Sequence, residues 1–127
     1  MHSIKTILIF FSVAVTIKGF SQEIKFKEMK QSFGFVHEGD TVKLSYELKN
    51  IGDKPLVISN YEVECGCTKM DSVAMPIEPG QTYILKVTFD THQKYDRQDR
   101  IVKVISNAVN SPTELRFKGV VLKPKKK

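Results

Sequence analysis

The clearest pattern in this chain is a strict alternation of apolar and polar residues between positions 41 and 50. In the stretch TVKLSYELKN, Val42, Leu44, Tyr46 and Leu48 occupy every second position and polar residues fill the others. Successive side chains of a β-strand point to opposite faces, so this period of two predicts a strand with one buried face. The NIGD sequence that completes the segment favours a turn, because Asn and Gly tolerate positive φ.

Similar patterns recur along the chain and predict about seven strands. Pro79-Gly80 precedes one of them and favours a type II turn, in which Gly takes the position with positive φ. RIVKVISN is more continuously apolar than the others, which is expected of a strand covered on both faces. In chain order, the predicted strands are EIKFKEM, FGFV, TVKLSYELKN, PLVISNYEVEC, a segment with Tyr83, Leu85, Val87 and Phe89 on one face, RIVKVISN, and TELRFKGVV with Leu115, Phe117 and Val121 on one face.

No helical periodicity competes with these strands in the part of the sequence that follows residue 21. Short strands separated by Gly and Pro turns are typical of an all-β sandwich. The sequence contains no internal repeat and no linker that would divide it. We therefore expect one all-β domain over residues 22–122, followed by a basic tail over residues 123–127.

The first 21 residues have the order of a secretory signal peptide. Lys5 precedes the apolar run TILIFFSVAVTI at residues 6–17, and the small-residue end Gly19-Phe20-Ser21 follows. The run is shorter than the roughly 20 residues of a membrane-spanning helix. We expect cleavage after Ser21 and a mature chain with no transmembrane segment, exported to the periplasm, the cell surface or the medium.

The positive charge of the chain changes this expectation little. The formal net charge is +6, but Lys5 and Lys18 belong to the predicted signal peptide. The four lysines of the tail, within KPKKK, supply all of the charge that remains. No aromatic residue is interleaved with them, so we interpret the tail as a solvated end and expect no nucleic-acid partner.

Few residues after position 21 are suited to catalysis near neutral pH. His37 and His92 are the only histidines there, and the sequence has no G-x-S-x-G elbow, phosphate-binding glycine loop or H-E-x-x-H motif. We therefore expect a protein that is not an enzyme and needs no cofactor. Its expected partner is a protein or another component of the cell envelope, bound through strand edges and loops.

The most distinctive local motif is Cys65-Gly66-Cys67, which contains both cysteines of the chain. On an extended strand the two Cα atoms would lie roughly 6.6 Å apart. Disulfides prefer about 5.5–6 Å, so a bond requires a bend, which Gly66 would permit. Closing so short a loop stabilises a fold by only about 1.6 kcal/mol in the chain-entropy model. A structural disulfide is therefore the least favoured interpretation.

Four other states of these cysteines remain open. The first is a pair of reduced, buried thiols, because free cysteine is among the most buried residue types. The others are an easily reduced disulfide with a redox role, a soft-metal site for Cu(I) or zinc, and a disulfide with a partner. Met70, Met75 and His37 are candidate accessory ligands if the loop folds back. Zinc is disfavoured by the spacing, because its cysteine ligands are usually separated by two to four residues.

An ordered set of short motifs resembles the domain-of-unknown-function family 1573, small exported bacterial proteins marked by a C-G-C-T sequence. The resemblance covers nearly the whole chain after residue 21. The motifs are Phe33-Gly34, Glu38-Gly39, Asn50 with Gly52 and Pro55-Leu56, Cys65-Gly66-Cys67-Thr68, Pro76-Ile77 with Pro79-Gly80, Phe89-Asp90-Thr91, Ser106-Asn107 and Gly119-Val120.

The resemblance implies an immunoglobulin-like β-sandwich and export, and it implies no reaction. The sequence departs from the family in three places. Ser32 stands where the opening motif usually has Asp, Tyr83 stands where Gly often precedes a strand, and HQKYDRQDR lacks a glycine that the family often has.

Overall fold

The computed structural model describes residues 21–124, which form eight strands and no helix. Residues 1–20 of the predicted signal peptide and the last three residues of the predicted tail lie outside the described residues. Within them, no helix is long and apolar enough to cross a membrane. The strands are β1 (Ile24–Phe26), β2 (Lys30–His37), β3 (Thr41–Asn50), β4 (Ile58–Val63), β5 (Thr68–Met70), β6 (Thr82–Asp90), β7 (Asp96–Ser106) and β8 (Thr113–Leu122).

The strands form two four-stranded sheets packed face to face, so the predicted all-β sandwich is confirmed. Sheet A has the order β1-β3-β6-β5 and is antiparallel throughout. Sheet B has the order β2-β8-β7-β4, and its β2–β8 pair is parallel. The strand missing from the sequence prediction is β5, which has only three residues and is too short to show a period.

The core lies between the sheets and is built from the alternating positions. All four apolar residues of the β3 pattern are buried, and Tyr46 and Leu48 have no exposed surface. In sheet B, Leu115, Phe117 and Val121 of β8 are buried as predicted. For β7 the prediction of two covered faces holds only in part, because its inner residues are buried while Ile101 and Ile105 on the outer face are half-buried.

Aromatic rings connect the two sheets at one end of this core. Phe89 of β6 and Phe117 of β8 lie with ring centroids 5.4 Å apart, and Phe33 of β2 contacts both rings. Gly119 makes room for Phe33, because a Cβ atom at that position would overlap the ring. Aromatic pairs in such tilted arrangements stabilise a core beyond the area that they bury.

The segment that follows β6 lacks the glycine that the family often has there, yet two of its residues adopt the left-handed conformation that glycine favours. Gln93 has φ 58° and Asp96 has φ 66°, both in the left-handed region. Asp tolerates this region better than most residues because its short side chain bonds locally. HQKYDRQDR therefore reaches the left-handed region at two positions without a glycine.

Candidate functional site: the cysteine crossover loop and the β7 edge

The two cysteines lie in the connection that carries the chain from one sheet to the other. β4, at the edge of sheet B, ends at Val63, and β5, at the edge of sheet A, begins at Thr68. Residues 64–67 form a bend and a turn between them. We call these four residues the crossover loop. The predicted strand PLVISNYEVEC included Cys65, but β4 ends at Val63, because the chain leaves sheet B before it reaches the cysteines.

Cys65 and Cys67 are joined by a disulfide, with Cα atoms 5.2 Å apart. The turn explains this short distance, since the Thr68 amide donates to the Cys65 carbonyl at 3.2 Å and draws the chain together. The favoured expectation of reduced, buried thiols is therefore not met, and both residues are only half-buried. The bend occurs without positive φ at Gly66, and open space surrounds the position of its missing Cβ.

The crossover loop is attached to the end of β6 by backbone bonds. The Asp90 amide donates to the Cys67 carbonyl at 2.8 Å, and the next residue, Thr68, pairs with Phe89. Cys67 packs against the hydrophobic core. The loop is thus held on its sheet A side, while Gly66 projects into solvent.

The predicted accessory ligands do not gather around the sulfurs. Met70 is buried in the core with 7% exposure, and Met75 lies in the next loop with 76% exposure. His37 ends β2, where its carbonyl accepts a bond from the Thr91 hydroxyl at 3.3 Å. No group of three or more His, Cys, Asp or Glu side chains within residues 21–124 is arranged to hold a metal. A Cu(I) or zinc site at the cysteines would first require reduction of the disulfide.

The departure of β4 leaves part of β7 uncovered. β7 runs over 11 residues, but β4 pairs only with its second half, from Val102 to Ser106. Residues 97–101 therefore pair with β8 on one side and with no strand on the other. Sequence reasoning did not identify this edge, because alternation shows which face of a strand is buried and not which neighbours it has.

A groove of about 300 Å³ lies beside this uncovered edge. Three of its side chains are carboxylates and one is a lysine. It is lined by Glu62, Val63, Glu64, Ile101, Lys103 and Glu114. Lys103 lies 3.9 Å from Glu114, so this pair offsets one negative charge and the other two carboxylates set the sign of the groove.

Arg100 lies on the uncovered part of β7 and points between the sheets. Its guanidinium carbon is 5.6 Å from the centroid of the Phe89 ring. Its Nη2 donates to Gln98 Oε1 at 2.8 Å, but its buried Nε has no hydrogen-bond partner. A buried donor without an acceptor costs free energy, so this N–H is a natural contact for an oxygen atom brought to the edge.

The polar residues of the sequence motifs lie elsewhere and serve to join loops. The buried Thr91 hydroxyl donates to the Asp40 carbonyl at 2.6 Å and ties β6 to the β2–β3 turn. The Asn107 side chain accepts from the Val57 amide at 2.9 Å and donates to the Pro55 carbonyl at 3.3 Å. These motif residues therefore stabilise the connections of the sandwich.

A family model described as protein of unknown function (DUF1573) matches residues 24–121. The chain belongs to this family. The match includes the crossover loop, the β7 edge, the first seven strands and all of β8 except Leu122. No curated protein matches the DUF1573 chain.

Solved structures similar to this DUF1573 protein share its fold. A protein of unknown function from Porphyromonas gingivalis W83 matches with a TM-score of 0.67 and 17% identity, over 78% of this chain and 46% of that chain. A PapD-like domain of human CEP192 matches with a TM-score of 0.64 and 13% identity, over 85% of this chain and 91% of that chain. The VesB protease of Vibrio cholerae matches with a TM-score of 0.55 and 13% identity, over 81% of this chain and 32% of that chain.

These similarities establish a PapD-like, immunoglobulin-like fold for the DUF1573 chain. Because all three identities are below 20%, they carry no activity from those proteins to this one. The chain spans less than half of the Porphyromonas protein and about a third of VesB. The immunoglobulin-like architecture implied by the sequence motifs is thus confirmed.

Proposed function

We propose that this protein is an exported, non-catalytic interaction module that binds a protein or another cell-envelope component in the periplasm or at the cell surface. The observation that carries this proposal is the contrast between the motif residues and the open edge. Asn50, Thr91 and Asn107 use their side chains to join loops of the sandwich. The β7 edge, by contrast, offers unpaired backbone groups, and such edges are recognition surfaces for other chains.

The proposal is tested on the full chain, expressed in a bacterium with an affinity tag after Lys127. We expect the protein in the periplasmic or extracellular fraction, with a mass that corresponds to a chain beginning at Gln22. After chemical cross-linking, purification should retain one reproducible partner. A matched chain with Lys5→Glu and a charged residue in the apolar run should stay in the cytoplasm.

Two results would contradict the proposal. One is full-length, uncleaved protein in the cytoplasm. The other is turnover of a substrate by the purified protein, in assays for peptidase, esterase and glycosidase activity, together with no cross-linked partner. The assays are run on the same preparation, so that folding is common to both measurements.

A second candidate function is thiol exchange at the crossover loop, and the half-exposed disulfide favours it. In this reaction a dithiol protein would transfer two electrons to the Cys65–Cys67 bond. The products are two thiols here and a disulfide in the donor, with a mixed disulfide between them. The reduced pair would also supply the thiolates for the Cu(I) or zinc site predicted from the sequence.

The two functions differ in how they depend on the sulfurs. Because exchange is reversible, the free Cys65 thiolate of Cys67→Ser should attack the disulfide of an oxidised partner protein and release one of its thiols. Without Cys67 to resolve it, the resulting mixed disulfide should accumulate and be visible on a non-reducing gel. A role in metal handling predicts copper or zinc in the purified reduced protein by elemental analysis. If the variant forms no mixed disulfide and the reduced protein contains no metal, thiol chemistry is excluded as its function.

A further inference from the structure

We propose that the uncovered edge of β7, residues 97–101, binds an extended segment of another protein as an added strand, and that this segment presents a basic side chain to Glu62 and Glu64. The inference rests on the proposed interaction function and names the surface and the chemistry of the partner. It is built on three features: the backbone of the edge, the charge beside it and the unpartnered Arg100 donor.

The backbone of this edge is regular and long enough for a strand. The register of β7 with β8 is continuous from Asp96 to Val104, without a bulge. Five residues of extended chain span about 16 Å, the length of a short natural strand. An uncovered edge of this kind carries N–H and C=O groups that pair readily with another chain.

β3 is also uncovered on one side, over residues 41–47, because β1 pairs only with its last three residues. Two carbonyls of this stretch, at Ser45 and Glu47, already accept bonds from the Gln31 side chain and the Lys27 amide. This stretch is therefore less open to an added strand than the edge of β7.

The outermost strands of the two sheets are also less suited to strand addition. The register of β4 shifts between Ile58 and Asn60. β1 and β5 have three residues each. The outer strand β2 is longer, but its register shifts between Ser32 and Gly34, and Gly34 has φ 70°. Bulges and short strands protect an edge against pairing. Residues 97–101 have no register shift, and they belong to a longer strand.

The groove beside the edge determines which partner fits. Lys103 lies opposite Glu62 in the β4–β7 register, but its ammonium is 3.9 Å from Glu114. Within residues 21–124, no ion pair shorter than 4 Å involves Glu62 or Glu64, so the groove keeps an excess of negative charge. A strand added in line with β4 would begin where β4 ends, so an outward side chain at its near end would lie beside these two carboxylates. Lysine or arginine at such a position complements their charge.

Side chains of the added strand that point inward, toward the space between the sheets, would contact Arg100. Among residues 21–124, no strand lies beside Arg100 where β4 would have continued. The buried Nε–H of Arg100 also lacks an acceptor within these residues. A side-chain oxygen from Glu, Asp, Asn or Gln would supply one. The expected segment therefore alternates basic residues outward with an oxygen-bearing residue inward.

The charge of the groove argues against a second copy of the same chain as the occupant. Pairing of two β7 edges around a twofold axis would bring the acidic groove of one copy next to that of the other. Like charges in close apposition across an interface destabilise it. The structure therefore points to a different protein with a basic extended segment.

The first test uses the blocked peptide Ac-KVKEKV-NH2 as a probe, with amide hydrogen exchange and chemical shifts measured by NMR on the full chain. We expect those amides of residues 97–101 that point away from β8 to exchange at least tenfold more slowly with saturating peptide. Chemical shifts should change at residues 62–64 and 97–101. The charge-reversed peptide Ac-EVEKEV-NH2 should bind at least tenfold more weakly, and added salt should weaken the first peptide.

Two controls separate strand addition from simple charge attraction. A version of the probe with alternate backbone amides N-methylated keeps every charge but cannot complete the ladder, so its binding should be lost. The variant Glu62→Lys/Glu64→Lys should bind the unmodified probe at least tenfold more weakly. The matched variant Glu23→Lys/Glu28→Lys changes the same charge at exposed positions away from the groove and should bind normally.

Three outcomes would overturn the inference. They are unchanged exchange at residues 97–101 in the presence of the probe, equal binding of the N-methylated probe, and a dimer in sedimentation that is abolished by the groove variant. Capture of the cellular partner then separates this inference from the proposed function. If Glu62→Lys/Glu64→Lys retains the partner as well as the original chain does, the proposed interaction function stands, and the binding site lies elsewhere on the protein.

Discussion

Asn50 shows how one polar side chain organises several loops. It is completely buried, and its Nδ2 donates to the carbonyls of Lys54 and Ile77 at 2.8 and 2.9 Å. Its Oδ1 accepts from the Gly52 amide at 3.0 Å, and its own carbonyl accepts from Gly80 at 2.7 Å. The residue thus links the end of β3 with the turn before β6, two regions that are far apart in sequence.

We expect Asn50→Ala to lower the free energy of unfolding by about 3 kcal/mol, because it removes one buried and two partly buried hydrogen bonds and leaves the buried Ile77 carbonyl without a partner. Urea denaturation followed by circular dichroism measures the change. Asn60→Ala, at an exposed position, is the control and should shift the free energy by less than about 0.5 kcal/mol. Equal losses in the two variants would contradict the structural role of Asn50.

Tyr46 gives the molecule a dependence on alkaline pH. Burial raises the pKa of its hydroxyl from 10.0 to about 12, and the hydroxyl donates to the Arg116 carbonyl of the opposite sheet at 2.9 Å. Since the folded pKa lies above the unfolded one, the folded state holds this proton more tightly. The contribution of Tyr46 is complete below pH 10 and is lost as the pH rises toward 12.

We therefore expect the free energy of unfolding to fall more steeply between pH 10 and pH 12 in the original protein than in Tyr46→Phe. Over this range, the original protein should lose on the order of 1–3 kcal/mol more unfolding free energy than the variant. Urea denaturation at several pH values measures it. Parallel curves for the two proteins would show that the tyrosine ionises equally in the folded and unfolded states.

At the scale of single residues, sequence reasoning identified which side chains are buried but not which bonds they make. The apolar positions of β3 and β8 follow from a period of two, because burial depends on one local rule. The bonds of Asn50 and Thr91 cross long stretches of sequence, and no local pattern contains them. The family motifs marked these positions without giving their physical reason.

At the scale of elements, the crossover loop joins the two edge strands β4 and β5. Sequence reasoning placed the cysteines on a strand because PLVISNYEVEC is a continuous extended pattern. It could not show where the chain leaves one sheet for the other, since both strands have the same local preference. From the sequence, a bend is only the condition for a disulfide, and reduced thiols are the preferred state. The structure has both the bend and the disulfide.

The short span of the disulfide limits its contribution to stability. We expect Cys65→Ser/Cys67→Ser to fold and to lose no more than about 1.6 kcal/mol, the entropy of closing so small a loop. Urea denaturation under non-reducing conditions measures the loss, and mass spectrometry confirms the disulfide in the original protein. A variant that fails to fold would show that the bond is needed to hold the crossover between the sheets.

At the scale of the whole molecule, the two sheets form a single core. Phe89 of sheet A and Phe117 of sheet B are both fully buried and in contact. We expect the double-mutant cycle of Phe89→Leu and Phe117→Leu to give a coupling energy of about 0.5–1.5 kcal/mol. The cycle of Phe89→Leu with Ile24→Val, outside this aromatic group, should be nearly additive. The measurement is the unfolding midpoint in urea.

The overall architecture was the most predictable property of this protein. Seven of eight strands, the two-layered sandwich and the family follow from the sequence, because alternation and turn residues repeat along the whole chain. Pairing order does not follow from it. The β7 edge exists only because β4 is shorter than its neighbour, and that mismatch becomes visible only when the strands are in register.

The position of β8 has a consequence for how the chain is made. β8 is the last strand in the sequence, yet it lies between β2 and β7 in the interior of sheet B. During synthesis from the N-terminus, β2 therefore has no partner in its sheet until β8 has emerged. β4 and β7 can pair earlier, but sheet B is complete only once β8 enters between β2 and β7. For a protein proposed to be exported, this order of assembly delays the folded state until β8 has been made.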